Sequence, residues 1–136
     1  MEPGDLKRLL HEFRCNPPAG AQAVSWFERD AGTKLPEDYV KFLDWTNGGE
    51  GYIGSHSYVI LWRVGELKEM NEAYQAAIYA PGLFLFGSNR GGEAFAFDMR
   101  PERSGVVAVP FLGMDVSLAR PIASSFDGFL QAIYQL

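Results

Sequence analysis

The first apolar positions, Leu6, Leu9, Leu10 and Phe13, fall at i, i+3, i+4 and i+7, with Lys7, Arg8, His11 and Glu12 between them. That spacing predicts an amphipathic helix with one buried stripe. Asp5 stands where its N-cap belongs. Pro17-Pro18 ends the helix by Asn16, since proline lacks an N–H and restricts the residue before it. A second helix is expected over Ala21 to Ala31, with Ala23, Phe27 and Ala31 on one stripe, Val24 and Trp26 beside it, and Gly32 as C-terminal cap. A third begins at Pro36, with Glu37 and Asp38 in the first turn where the helix dipole favours them. Tyr39, Phe42, Leu43 and Thr46 form its buried face, and Asn47-Gly48-Gly49 ends it.

From there the period shortens to two. Gly51 to Ile53 reads as a short strand, and Tyr58 to Trp62 as a strand apolar on both faces, as in a covered sheet. A helix over Val64 to Ala77, with Leu67, Met70 and Tyr74 inward, stops at Pro81-Gly82. Leu83 to Gly87 and Glu93 to Met99 form two strands of a hairpin joined by Ser88-Asn89-Arg90-Gly91-Gly92. In the second of these, Glu93, Phe95 and Phe97 face one side and Ala94, Ala96 and Asp98 the other. Val106 to Leu112 is another strand, in which Pro110 marks an edge or a bulge. Gly113 to Pro121 reads as loop. A last helix starts at Ser124 or Ser125, with Ser124 and Asp127 resembling a capping box, and buries Phe126, Phe129, Leu130, Ile133 and Tyr134. The order predicts an α+β fold: a twisted, mostly antiparallel sheet of about five or six strands, with N-terminal helices, one inserted helix and a closing helix packed on it.

The 136 residues suit one domain spanning 1–136, long enough for a core of its own. The longest apolar run, Leu83 to Phe86, is far short of a membrane span, and the acidic start from Met1 to Asp5 is unlike a signal peptide. With the single cysteine, Cys15, this predicts a cytoplasmic protein. Seventeen acidic residues against twelve basic ones give a net charge of −5. A chain so balanced, with no Lys/Arg cluster, is not expected to grip phosphate backbones directly.

Candidate chemistry is sparse. His11 and Cys15 lie four apart on the first helix, but at its C-terminal end, where the dipole disfavours a thiolate. With His56 they are the only imidazole or thiol ligands and lack the paired spacing of zinc sites, so no metal and no cofactor is expected. Gly87 to Gly92 runs into Glu93 and a strand rather than into a helix N-terminus, which excludes a phosphate loop. Glu93 and Asp98 differ in strand parity, and Glu37 and Asp38 are adjacent on a helix, so neither is a hydrolytic carboxylate pair. The chain reads as a non-enzyme. Most aromatics take core positions, whereas Tyr52, Tyr58 and Trp62 are candidates for exposed anchors of a protein interface.

Four segments in order resemble the SUKH superfamily, the Smi/Knr-type domain. They are Leu35-Pro36-Glu37-Asp38-Tyr39-Val40-Lys41-Phe42-Leu43 leading to Asn47-Gly48-Gly49; the hairpin from Gly87 to Asp98; Val106-Val107-Ala108-Val109; and Ser124-Ser125-Phe126-Asp127-Gly128-Phe129-Leu130. Together they cover about the last hundred residues. Arg90 in the glycine-rich turn and Met99-Arg100-Pro101 after the aspartate depart from the pattern. The resemblance implies a twisted antiparallel sheet with helices at one side and no shared catalytic apparatus. It implies a bacterial immunity protein that binds and neutralises a cognate toxin domain, often a nuclease, or alternatively a regulatory scaffold. Complementary charge is one way for an acidic inhibitor to find a basic toxin. The turn after the third helix and the hairpin supply the candidate partner-binding residues Asn47, Glu50, Tyr52, Arg90, Glu93 and Asp98. For Asn47 and Asp98 a cap or turn hydrogen bond is the competing reading. Oligomeric state is open on the sequence.

Overall fold

The computed structural model of the chain describes residues 2–136; Met1, the first residue of the acidic start, lies outside them. The opening helix is shorter than its apolar spacing predicts. Helix α1 covers Pro3–Leu9, with Leu10 as C-cap, and Asp5 is not its N-cap but the third residue, its carboxylate accepting from the Glu2 N–H. Phe13 then leaves the helix for a strand the period did not reveal, β1 (Phe13–Cys15). It pairs with β2 (Gly49–Ile53), Phe13 opposite Gly51 and Cys15 opposite Gly49. Gly51 has φ 144°, and a Cβ there would lie 2.6 Å from the Glu12 carbonyl oxygen, so only glycine lets the two backbones meet. His11 and Cys15 are thus not neighbours on one helix.

Helix α2 (Ala21–Ala31) ends on Gly32 in the left-handed conformation, as expected. Helix α3 (Glu37–Trp45) buries Tyr39, Phe42 and Leu43. Strand β3 (Ser57–Leu61) follows β2. The inserted helix is broken: a 3-10 turn over Val64–Glu66 leads to α4 (Leu67–Ala73), then to the short α5 (Ala76–Tyr79). Gln75 at the break has φ 52°. Strands β4 (Leu83–Ser88), β5 (Glu93–Asp98) and β6 (Val106–Pro110) form where alternation places them. Part of the expected loop is instead a seventh strand, β7 (Arg120–Ala123), before α6 (Phe126–Tyr134). Ser125, not Ser124, caps α6, its hydroxyl accepting from the Gly128 N–H.

The sheet has seven strands in the order β1-β2-β3-β4-β5-β6-β7, every neighbouring pair antiparallel. Its strand count exceeds the five or six expected because β1 and β7 are short edge strands without a clear alternating pattern. Pro110 does not mark β6 as an edge. It is the last residue of an interior strand, beyond the reach of β7, and the irregularity in that pair falls at Val106/Val107. Pro121 sits instead on the true edge, where its missing donor costs nothing.

Aromatic side chains hold the helices to the sheet. A bulge between Leu85 and Gly87 lets Phe86 stack on Phe97 with ring centroids 4.4 Å apart. Phe126 and Phe129 of α6 close on Phe86 edge-on, and Tyr39 and Phe42 of α3 meet Phe126 at 5.0 Å each. Each such pair adds about 0.5–1.5 kcal/mol beyond the area it buries. The Asp38 carboxylate accepts from the Asp127 N–H, tying α3 to the start of α6.

Candidate protein-binding face

Strands alternate their side chains, so the register of β2 and β3 decides which residues share a face. Gly49, Gly51 and Ile53 take one side, and Glu50 and Tyr52 the other, with Tyr58 and Ile60 opposite them on β3. Tyr52 is exposed at 44% and meets the Tyr58 ring edge-on at 5.3 Å. The Tyr58 hydroxyl donates to Glu50 Oε2 at 2.6 Å, and the Arg90 guanidinium lies 3.9 Å from the centre of the Tyr58 ring. Cation–π contacts of this kind contribute about 0.5–1 kcal/mol at exposed sites. The hairpin turn delivers Arg90 by a left-handed residue, φ 64°, locked by the Asn89 side chain, which accepts from the Gly91 and Glu93 N–H groups.

Three of the sequence candidates, Glu50, Tyr52 and Arg90, therefore converge, and the residue that joins them is Tyr58. Trp62, by contrast, is buried. The charge of this face is not the acidic one the net balance suggests. Arg14, opposite Glu50 on β1, lines with Arg63, Glu50 and Glu66 a polar recess of about 430 Å³. Arg14, Arg63 and Arg90 make no ion pair with a carboxylate among the described residues.

The other three candidates lie elsewhere. Asn47 is committed to the fold: its Oδ1 accepts from the Val64 N–H at 2.8 Å, its N–H donates to the Pro17 carbonyl, and its own carbonyl accepts from Asn16 Nδ2. Asp98 is buried, only 7% exposed, and held by Arg100, which donates from Nε and Nη2 to its two oxygens at 2.9 and 2.8 Å. That guanidinium holds the Asp98 carboxyl below the usual aspartate range. Glu93 accepts from Asn89 Nδ2 and pairs with Arg120 Nη2 at 3.0 Å. Turn chemistry betrays Asn47 and Asp98, while nothing local pointed to Arg14, because the strand that aims it was not foreseen.

Cys15 is exposed as a residue, but partial burial of its thiol pushes it up, with Thr46 opposing in part. It is a thiol, not a nucleophilic thiolate. Among the described residues no three His, Cys, Asp or Glu side chains converge as metal ligands, and no helix is long and apolar enough to cross a membrane.

No curated protein matches the chain significantly. A family model does, over residues 18–132, from just before α2 into α6 and so spanning β2 to β7 with both helices of the aromatic core. The chain belongs to the SMI1/KNR4 family (SUKH-1).

Proposed function

We propose that this chain is a non-catalytic immunity protein, acting in the cytoplasm, that neutralises a cognate toxin domain by stoichiometric binding. Membership of a family that includes toxin-immunity proteins supports the domain type. The observation that carries the reading is the Tyr52–Tyr58–Arg90 cluster with its Glu50 anchor. It combines the residue types that dominate interface energetics, tyrosine and arginine, the tyrosines on paired strands and the arginine held over the Tyr58 ring from the hairpin turn. Preordered side chains lose little entropy on binding, so more of the contact energy appears as affinity. The net charge of −5 favours a partner that is basic overall, such as a nuclease domain, while the arginines of the face select for a carboxylate or aromatic group at the point of contact.

The test is co-expression with the candidate toxin domain, sought among the products of the neighbouring genes. Protection of the cells and a complex that survives gel filtration at micromolar concentration are expected; death of the cells with no complex overturns the reading and leaves a regulatory scaffold in its place. Arg90→Gly is the informative variant. It removes the guanidinium while relieving a left-handed arginine backbone, so stability should stay within about 1 kcal/mol. Affinity should fall about tenfold or more, as for other arginine anchors.

A further inference from the structure

The strands β3 and β4 are staggered, and the two overhangs are treated differently. Their ladder consists of Ile60 opposite Ser88 and Leu61 opposite Gly87, continued by the Trp62 N–H donating to the Phe86 carbonyl. Beyond it, β4 continues past the end of β3, and there α4 supplies a substitute strand: Asn71 Nδ2 donates to the Leu85 carbonyl and its Oδ1 accepts from the Leu85 N–H, both at 2.9 Å. At the opposite end β3 continues past β4 through Val59, Tyr58 and Ser57. In this register Val59 would face Asn89 and Tyr58 would face Arg90, but β4 has already turned: Asn89 N–H donates to the Glu93 carbonyl and Arg90 is left-handed. Backbone groups alternate along a strand. Since Trp62 N–H points toward β4, the N–H and C=O of Tyr58 point the same way, and among the described residues no backbone hydrogen bond meets them on that side.

Ser57, Tyr58 and Val59 of this overhang line a cleft of about 420 Å³. Val59 and Phe95 of the sheet, Pro121 and Ile122 of β7, and Ala132 and Leu136 from the C-terminal end line it. In a protein of net charge −5, no Asp or Glu side chain lines it; His56 and Arg120 do. Arg120 uses only Nη2 for Glu93, which leaves the other edge of its guanidinium for a second carboxylate.

We infer that this cleft docks an extended segment of a protein partner, about three residues long and carrying a carboxylate, which pairs with the free edge of β3 at Tyr58 and meets Arg120. Three residues of strand span about 10 Å, the length of the overhang. Strand addition provides main-chain hydrogen bonds, and alternate side chains then reach the cleft and provide selectivity. The inference rests on the protein-binding reading for the source of the segment, but the slot is tested without the toxin, so either can fail alone.

The probe is the peptide acetyl-Thr-Val-Asp-Val-Thr-amide, titrated to millimolar concentration into the ¹⁵N-labelled full chain. Saturable shifts are expected at Ser57, Tyr58, Val59, Ile122 and Ala132, with the Tyr58 amide moving downfield and exchanging more slowly with solvent. A peptide with Lys for Asp should bind about tenfold more weakly or worse, and one N-methylated at its three central residues should not bind. Ala132→Glu, which places a carboxylate in the cleft at a half-buried helix position, should abolish binding and leave the Tyr52 and Arg90 resonances unmoved. Absence of saturable shifts, an unmoved Tyr58 amide in the bound state, or equal affinity for the Asp and Lys peptides each overturns the inference.

Discussion

Replacing Asn47 by alanine separates a folding residue from a binding one. In the native chain its side-chain oxygen accepts from the N–H of Val64, a residue only 3% exposed, and so closes the corner where α3, the turn into β2 and the start of the 3-10 turn meet. The neighbouring Gly48, φ 68°, packs its backbone against that of Leu61 and Trp62, so the corner has no room to relax. Alanine removes the acceptor and leaves the donor buried, a loss of about 1–3 kcal/mol. The backbone bonds of residue 47, to Pro17 and from Asn16, persist, which puts the expected value near 2 kcal/mol. For a chain of this length that lowers Tm by roughly 6–10 °C. Urea unfolding monitored by tryptophan fluorescence measures it: the midpoint should drop with an unchanged slope, showing a native-state loss. Asn47→Asp keeps an oxygen at the same place and should recover most of the loss, whereas affinity for a partner should be unaltered in whichever variant remains folded. Full stability of Asn47→Ala together with weakened partner binding would refute the assignment and return Asn47 to the interface.

Three further outcomes follow from the same geometry. Asp98→Asn should cost about 1.5–3 kcal/mol at neutral pH, the worth of hydrogen bonds to a charged group. Because Arg100 lowers the folded-state value below the ordinary 3.8, that contribution is complete above the usual carboxylate range and disappears as pH falls through the lowered value. The gap between wild type and variant in denaturation midpoint should therefore close below about pH 4, and a gap that is constant with pH contradicts the pairing. Gly51→Ala should destabilise by about 2 kcal/mol or more, through its backbone conformation and the collision with Glu12. It should also release β1, seen as lost amide protection at Arg14, whose N–H faces Glu50 across the ladder; retained protection argues against the close approach. Gln75→Gly relieves the left-handed residue between α4 and α5 and should stabilise by about 0.5–1 kcal/mol in thermal unfolding, with no gain counting against strain at the break.

The elements legible in the sequence are those whose side chains carry the structural reason. Helices α2, α3 and α6 each have an apolar stripe with a cap or a stop, and β4 and β5 alternate around a glycine-rich turn. What escaped was decided by backbone. Phe13 fits the helical period as well as Leu9 does, and it becomes a strand residue because two glycines in a segment thirty-odd residues later let β1 lie against β2. Arg120 and Pro121 look like loop, since an edge strand with proline needs hydrogen bonds on one side only. The candidate face was half visible. Glu50, Tyr52 and Arg90 were identifiable by residue type, but that Tyr58 connects them depends on register, and that Arg14 and Arg63 change the sign of the local charge depends on a strand no period announced.

Because the seven strands lie in the sheet in the order in which they occur in the chain, each can add to its predecessor with no strand threaded between two others, by turns or loops except where helices intervene between β1 and β2 and between β3 and β4. Pairing each strand with its neighbour in sequence keeps the loop-closure cost small at the remaining steps, which favours faster folding than an all-β topology with distant partners. A nascent chain emerging from the ribosome can therefore lay down β1 to β3 before β4 exists, and the last helix, α6, arrives to seal an aromatic floor already assembled.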